Sequence, residues 1–598
     1  MTNHHTGVSE RQPLIEPGDR YKRILQTHDN EQQQHEATIK PNDDDDIPQQ
    51  DEASRLAALQ ALPWHKRPSI AWLLPFVFLI ALVMGLSQAP QEQLIIKILC
   101  KEYFRERETR SEEGGGGMSL SSSLLSNGSF NTNRPSDDPC NSAPVVALAA
   151  SVLGRVRALK YISGFFTIGY LTSLSDKYGR KPLIYMTLIP AIMTQLLIVY
   201  MARPSSNLGV GVLYADGLFM GLMGAGILLE PCLNAYVADC TPRDGRSLSI
   251  GYVMVSLSVG MTVGPLLSSF LHTLTHDYNI AMFISAGTLL FLVFYAMFLP
   301  ESLPKHARLA IVAKSDANED ATASLAPRVL AAMKSGLVTI LDPVLLFLPG
   351  RIEASPDVNI SPSPYTLLIL LGGYGIIQFA SNGMSTILIP YTNLVYRWDG
   401  EMDGYYYALS GASTFVVYLA IFPLLHKLFK TVYASKVVAE NTEQNEDLLE
   451  DLHQQSDADA TTPSVAKSRQ SVWVDLNFFI FGSGLYAVSY FIIALIPTQA
   501  SMFLACIIRA LAAISLPSFT SLLTSFVPTH QTGKALGGVS VVDTLVMTLS
   551  SFLYGWILSK TSATVPSAVF LLSGICTCLG VLAGLVVWIT FKRAERRK

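Results

Sequence analysis

The strongest constraint on this chain is a series of apolar runs of roughly 20 residues, the length a helix needs to cross a ~30 Å hydrocarbon core. Twelve are expected, near 70–95, 158–175, 182–202, 209–238, 247–271, 279–299, 365–391, 403–425, 472–495, 500–526, 535–558 and 566–590. In lipid the backbone must satisfy its own polar groups, so each run is read as a helix. Composition points the same way. Of 598 residues, 49% are hydrophobic and 15% charged, against about 25% charged in ordinary soluble domains. The chain reads as an all-α, multi-pass membrane protein. The second run is the weakest, because Arg155, Arg157 and Lys160 crowd its start; long cationic side chains reach the headgroups from a helix end.

The polar segments set the organisation. Residues 1–66 ("NEQQQHEATIKPNDDDDIPQQDE" within them) bury too little apolar surface to fold and are expected to form a disordered cytosolic tail. Residues 67–300 form a first six-helix bundle, with a Ser/Gly-rich loop at 96–145, and residues 301–364 a cytosolic linker. Residues 365–598 form a second six-helix bundle with an acidic insert at 430–470. Within the linker, "PRVLAAMKSGLVTILDPVLLFLPG" is read as an interfacial segment. Basic residues collect in "WHKRP", "DKYGRKP", "PRDGR", "ESLPKHAR" and "FKRAERRK", which places both termini in the cytosol by the positive-inside rule. Asn127 opens a glycosylation sequon in the 96–145 loop, consistent with a luminal or external face. Cys100 and Cys140 bracket that loop. A disulfide between them would close it in an oxidising compartment, and two unpaired thiols are the alternative.

Several functions are disfavoured. The net charge of −4, with no basic stripe, gives no reason to expect nucleic acid. No nucleophile–base pair, metal-ligand spacing or phosphate loop is evident, so neither catalysis, a cofactor nor a metal is expected. "ERQPLI" has the form of a dileucine sorting signal (Glu10, Leu14, Ile15) that an adaptor could read. Vacuolar or lysosomal membrane and plasma membrane both stay open. A monomer is expected.

The two halves echo each other. "EPCLNAYVADCTPRDGRSLSIG" (230–251) aligns with "LPSFTSLLTSFVPTHQTGKALGG" (516–538), so that Pro231 falls on Pro517 and Pro242 on Pro528. A weaker echo sets "FPLLHKLFK" (422–430) against "TSLSDKYGR", with His426 in the place of Asp176 and Phe429 in that of Gly179. Repeated helical halves around a midplane site are a transporter architecture.

On these residues the chain resembles the major facilitator superfamily. "LSDKYGRKP" is similar to its cytoplasmic loop signature through Leu174, Asp176, Lys177, Gly179, Arg180 and Lys181, with Thr172 where glycine is usual. "GMTVGP" (Gly260, Gly264, Pro265) is similar to an antiporter-associated helix-packing motif, with Ser268 and Ser269 in place of a following glycine pair. "FLPESLP", "YVADCTPRDGR" and the large first loop resemble a fungal branch related to tetracycline-resistance exporters and proton-coupled folate and haem carriers. The resemblance implies twelve transmembrane helices in two pseudo-symmetric six-helix bundles. It also implies secondary transport of a small organic solute by alternating access, coupled to protons, as symport or antiport. A non-transporting sensor on the same fold is the alternative.

The resemblance also implies a cytoplasmic gate. Asp176 would cap the eleventh helix near Thr532–Lys534, where a helix N-terminus favours a carboxylate. Arg180 would pair with Asp239, Gly179 would allow the tight turn, and Lys177 and Lys181 would meet anionic headgroups; Arg246 is expected in the same gate. Ionisable residues inside spans are costly and therefore functional candidates. Asp216 and Glu230 lie fourteen residues apart on the fourth run and so are expected to share a face with Asn234. Glu230 is the expected proton carrier, and Arg509 on the tenth run either binds an anionic solute group or pairs with Glu230. Asp543 is, with Asp216, a second-rank proton site. Tyr374, Gln378 and Asn382, at i, i+4 and i+8, form a polar stripe that binds solute or joins helices. Gln88, Pro90 and Glu92 are weaker candidates, and Tyr405, Tyr406 and Tyr407 are expected in an interface belt.

Overall fold

The computed structural model describes residues 66–113, 139–224, 228–241, 243–302, 342–349, 365–429, 462–527 and 531–595, with the single residues 63 and 363. The described helices belong to one compact unit, Pro68–Lys598. Among the described residues all regular secondary structure is helical.

Twelve spans follow in order. The first half holds span 1 (Ile70–Glu113), span 2 (Ala143–Tyr178), span 3 (Arg180–Met201), span 4 (Gly211–Leu222 and Leu229–Cys240), span 5 (Arg243–Thr275) and span 6 (Tyr278–Phe298). The second half holds span 7 (Thr366–Tyr396), span 8 (Gly400–Phe429) and span 9 (Thr462–Leu495). It ends with span 10 (Gln499–Ala512 and Ser515–Phe526), span 11 (Thr532–Thr561) and span 12 (Ala568–Glu595). Ten are long and apolar enough to cross a membrane; spans 2 and 4 depart from that pattern. Span 6 leaves Phe291, Phe294 and Phe298 exposed, a surface suited to lipid rather than water.

Span 2 corrects the sequence reading. It begins at Ala143 rather than near 158, so Arg155, Arg157 and Lys160 lie in its interior and not at its start. Span 1 likewise continues to Glu113, through residues expected in a loop. Beyond its apolar part it is held by polar pairing such as Arg105 to Glu102 at 2.6 Å, the spacing that supports a helix surface.

Spans 4 and 10 are both broken. In each, the chain resumes as a 12-residue helix with proline third: Leu229-Glu230-Pro231 and Ser515-Leu516-Pro517. Proline lacks an N–H and clashes with the preceding turn inside a helix, but is tolerated in a first turn. The repeated prolines therefore dictate the same restart in both halves. Both segments then end in extended caps, Thr241 (φ −124, ψ 140) and Val527 (φ −117, ψ 137). The break also removes the basis for placing Asp216 and Glu230 on one face, since they now belong to different segments.

The halves meet near the end of the bundle that carries Cys100 and Cys140, called here the disulfide face; the 172–182 turn marks the opposite, loop face. Cys100 and Cys140 are joined, with Cα atoms 5.4 Å apart. Gly154 of span 2 and Gly555 of span 11 bring backbones together: a Cβ added to Gly154 would lie 2.6 Å from the Ser551 carbonyl oxygen and 3.0 Å from Gly555 Cα. Ser269 of span 5 donates to the Glu401 carbonyl at 3.0 Å, and Tyr278 Oη accepts from the Gly400 N–H at 3.0 Å. Within the first half, Gly260 and Gly264 let span 5 press on span 1: a Cβ at Gly264 would stand 2.4 Å from the Leu82 carbonyl oxygen.

The described part of the linker does not lie at an interface alone. Leu346 and Phe347 are buried in the core of the second half with Leu522, Phe526 and Ala535, and Asp342 pairs with Lys534 at 2.6 Å. Asn127, Glu10, Leu14 and Ile15 lie outside the described residues, as do the side chains of Asp176, Lys177, Glu230, Asn234 and Arg246.

Candidate functional site

Arg509 sits near the C-terminal end of the first segment of span 10, beside a cavity of about 290 Å³. Ser381 and Ser385 of span 7, Ser410 and Thr414 of span 8 and Tyr486 of span 9 line it. The guanidinium touches the Met384 sulfur and stands 5.9 Å from the Tyr406 ring centroid. Among the described residues no carboxylate pairs with it. A half-buried guanidinium among hydroxyl groups, without an acid of its own, can hold a carboxylate, phosphate or sulfonate through charge-assisted hydrogen bonds.

A second cation reaches the same place from the first half. Arg157 of span 2 donates to the Ser385 carbonyl at 3.1 Å and forms an ion pair with Glu92 of span 1. One turn further along span 2, Lys160 neighbours Asp216 of span 4, whose carboxylate accepts from Thr194 at 2.7 Å. Of these charges, Arg157 is the one that touches a residue lining the cavity, through Ser385.

The polar stripe of span 7 divides. Tyr374 is 5% exposed, stacks on Phe519 at 4.0 Å and donates to Asp543 at 3.1 Å. These two candidates therefore join spans 7, 10 and 11. Asn382 donates to the carbonyl of Gln378 in its own helix at 3.0 Å. The tyrosine run is no uniform belt: Tyr405 is exposed, whereas Tyr406 is 1% exposed and packs on Trp398 and Phe503 beside Arg509.

At the loop face, Gly179 takes φ 101, a left-handed geometry that glycine adopts without a Cβ penalty. The turn brings Glu301, just beyond span 6, onto the start of span 3, where its carboxylate accepts from the N–H groups of Arg180 at 2.8 Å and Lys181 at 3.3 Å. Arg180 Nε lies 3.4 Å from Asp239 Oδ2, which also accepts from Ser302 at 2.9 Å. Lys181 donates to the Met297 carbonyl at 2.9 Å instead of pointing freely to headgroups. In the sequence Glu301 stands out only as a member of "FLPESLP" and "ESLPKHAR"; its capping role follows from the turn.

A further cluster went unread. Gln93 of span 1 donates to Asn393 Oδ1 of span 7 at 2.9 Å and to Asp403 Oδ2 of span 8 at 2.7 Å. Asn393 donates back to Gln93 Oε1 at 3.1 Å. Asp403 opened the expected eighth run, so an ionisable residue within a span was the available signal.

Comparison with known proteins gives a consistent picture. A profile described as Major Facilitator Superfamily matches residues 119–436. The MFS-type transporter avaJ of Aspergillus versicolor is 22% identical over 530 residues, covering 87% of this chain and 89% of its own. An uncharacterized membrane protein of Schizosaccharomyces pombe is 20% identical over 471 residues, covering 74% and 70%. The tetracycline resistance protein, class C, of Escherichia coli is 28% identical over 140 residues, covering 23% and 32%. In fold, a crystal structure of peptide transporter POT superposes with TM-score 0.50 at 14% identity, over 91% of this chain and 99% of that one.

Proposed function

This chain belongs to the Major Facilitator Superfamily, and from that premise we propose that it is a secondary active transporter of a small organic solute with an anionic group. It would work by alternating access and be coupled to protons. The observation that carries this reading is Arg509, a guanidinium without a described acidic partner, in a hydroxyl-lined cavity of about 290 Å³. Arg157 of the other half holds the wall of that cavity through Ser385, so solute bound there would be felt by both halves.

In this reading Glu230, an ionisable residue within a span, exchanges the coupling proton. Asp216, held by Thr194, and Asp543, held by Tyr374, are further carboxyls available. The distribution of basic residues supports a cytosolic loop face and cytosolic termini. The Arg180–Asp239 pair and the Glu301 cap would then organise a cytoplasmic gate.

Uptake of a panel of organic anions into proteoliposomes with an imposed pH gradient tests the proposal. Flux that follows the gradient and falls in R509A supports it; absence of flux for every anion tested sinks it. Undiminished proton-driven counterflow in E230Q would remove Glu230 from the coupling role.

A further inference from the structure

Asp403 is a carboxyl placed where the two halves meet. It is the fourth residue of span 8 and 1% exposed. Its neighbours in the cluster are buried as well: Gln93 is 6% exposed, Thr392 0% and Asn393 1%. Gln93 comes from the first half, and the other three come from the second. The amide of Gln93 spends one N–H on Asn393 and one on Asp403 Oδ2. The remaining oxygen, Asp403 Oδ1, lies 2.8 Å from Thr392 Oγ1, and Thr392 Oγ1 lies 3.0 Å from the Ile389 carbonyl oxygen.

These distances define a chain with one proton to place. The Thr392 hydroxyl has a single hydrogen and two acceptors within reach. If Asp403 Oδ1 carries a proton, it donates to Thr392, Thr392 donates to Ile389, and no charge is buried. If Asp403 is ionised, Thr392 must turn to it, and a full negative charge sits in a buried interface. Burying an ion without a partner costs several kcal/mol even after relaxation. Among the described residues no cation pairs with Asp403, and the acids Glu92 and Asp399 are among the charges that act on it. Arg157 is already engaged by Glu92.

We propose that Asp403 is a proton-binding site of the gate at the disulfide face, protonated on Oδ1 when that face is sealed and deprotonated when it opens. Opening pulls Gln93 away from Asp403 and Asn393 and lets water in, and a hydrated aspartate releases its proton well below neutral pH. Sealing therefore takes up one proton and opening returns it. Acid on the disulfide face favours the sealed state, and alkali favours the open one. The proposal rests on the alternating-access reading above, and extends it by assigning a proton to a gate residue outside the Arg509 cavity.

Other titratable groups border this end of span 8: Glu92 and Lys97 on span 1, His272 on span 5, Arg397 and Asp399 at the end of span 7, and Glu401 on span 8 itself. Arg509 of span 10 lies beneath, against Tyr406. His272 is the chief rival, since it sits in one cluster with Asp399 and Glu401 across the same interface.

The test needs no solute, so its outcome is independent of whether transport is found. The full chain, with its five free cysteines replaced, carries spin labels at L274C of span 5 and V565C between spans 11 and 12, and is titrated in nanodiscs. The sealed-to-open ratio is expected to fall up to about tenfold per pH unit through one window, the slope of a single linked proton. Infrared difference spectra should lose a carboxylic-acid C=O band in that window. D403N, whose amide can keep both hydrogen bonds, should stay sealed at every pH and lack the band. Should D403N fail to fold, T392V removes the acceptor of the Asp403 proton and should move the midpoint to lower pH. A wild-type distance that ignores pH, a missing C=O band, an unshifted midpoint in T392V, or a pH response kept in D403N and abolished in H272Q would each overturn the proposal.

Discussion

Glu92 and Arg157 form an ion pair between spans 1 and 2, and Arg157 continues the contact into the other half by donating to the Ser385 carbonyl at 3.1 Å. The two side chains are 4% and 25% exposed respectively. Span 2 keeps three cations in its interior, and this pair accounts for one of them. The next residue after Glu92 is Gln93, which holds Asn393 and Asp403. Two adjacent side chains of span 1 thus tie the first half to spans 7 and 8.

Removing one partner of a buried ion pair leaves the other charge uncompensated, at a cost of about 3–5 kcal/mol. E92Q and R157Q are each expected to lower the thermal unfolding temperature in detergent. The double substitution should be less harmful than the sum of the singles. A double-mutant cycle that closes with no coupling would show that the pair contributes nothing.

The architecture was largely legible, because hydrophobic length reports a transmembrane helix directly and Pro231 and Pro517 repeat across the halves. What the repeated prolines meant was not legible. Only the backbone shows that each marks the restart of a broken span, and this undid the shared face assumed for Asp216 and Glu230. The charged interior of span 2 was misread for a related reason: a cation in a span looks like a helix end until its partner is known. Glu92 lies 65 positions from Arg157, and no local pattern encodes that pairing. The loop-face turn was half legible. Gly179 could be assigned from sequence, whereas Glu301 reaches it from 121 positions away.

Gly179 and Glu301 give a second prediction. With φ 101, Gly179 disfavours any side chain, and an added Cβ would lie 2.6 Å from Glu301 Oε2. G179A should both strain the turn and push the carboxylate off the N-terminus of span 3. E301Q keeps the shape and loses the charge that suits a helix N-terminus. Loss of an N-cap typically costs about 0.5–2 kcal/mol, so E301Q should be the milder of the two in thermal unfolding. Equal stability of G179A and wild type would refute this account.

The contact between Gly154 and Gly555 bears on the conformational cycle. Alanine at 154 would press against the Ser551 carbonyl, a backbone atom that cannot swing aside. G154A is therefore expected to hold spans 2 and 11 apart at the disulfide face. Labels on the ends of those spans should report a longer mean distance, and transport should slow. An unchanged distance distribution in G154A would mean that this approach does not limit closure.

Arg509 supplies the sharpest functional prediction. A hydrogen bond to a charged group contributes about 1.5–3 kcal/mol, and 1.4 kcal/mol is a factor of ten. R509A should therefore raise the KM for an anionic solute about 10- to 100-fold. R509K should recover only part of the loss, because an ammonium keeps the charge but not the planar fork that matches a carboxylate or phosphate. Uncharged analogues of the same solute should be nearly indifferent to both changes. The measurement is initial-rate uptake into proteoliposomes for matched anionic and neutral solutes. If R509A impairs both classes alike, the guanidinium is a structural strut against Met384 and Tyr406 rather than an anion site.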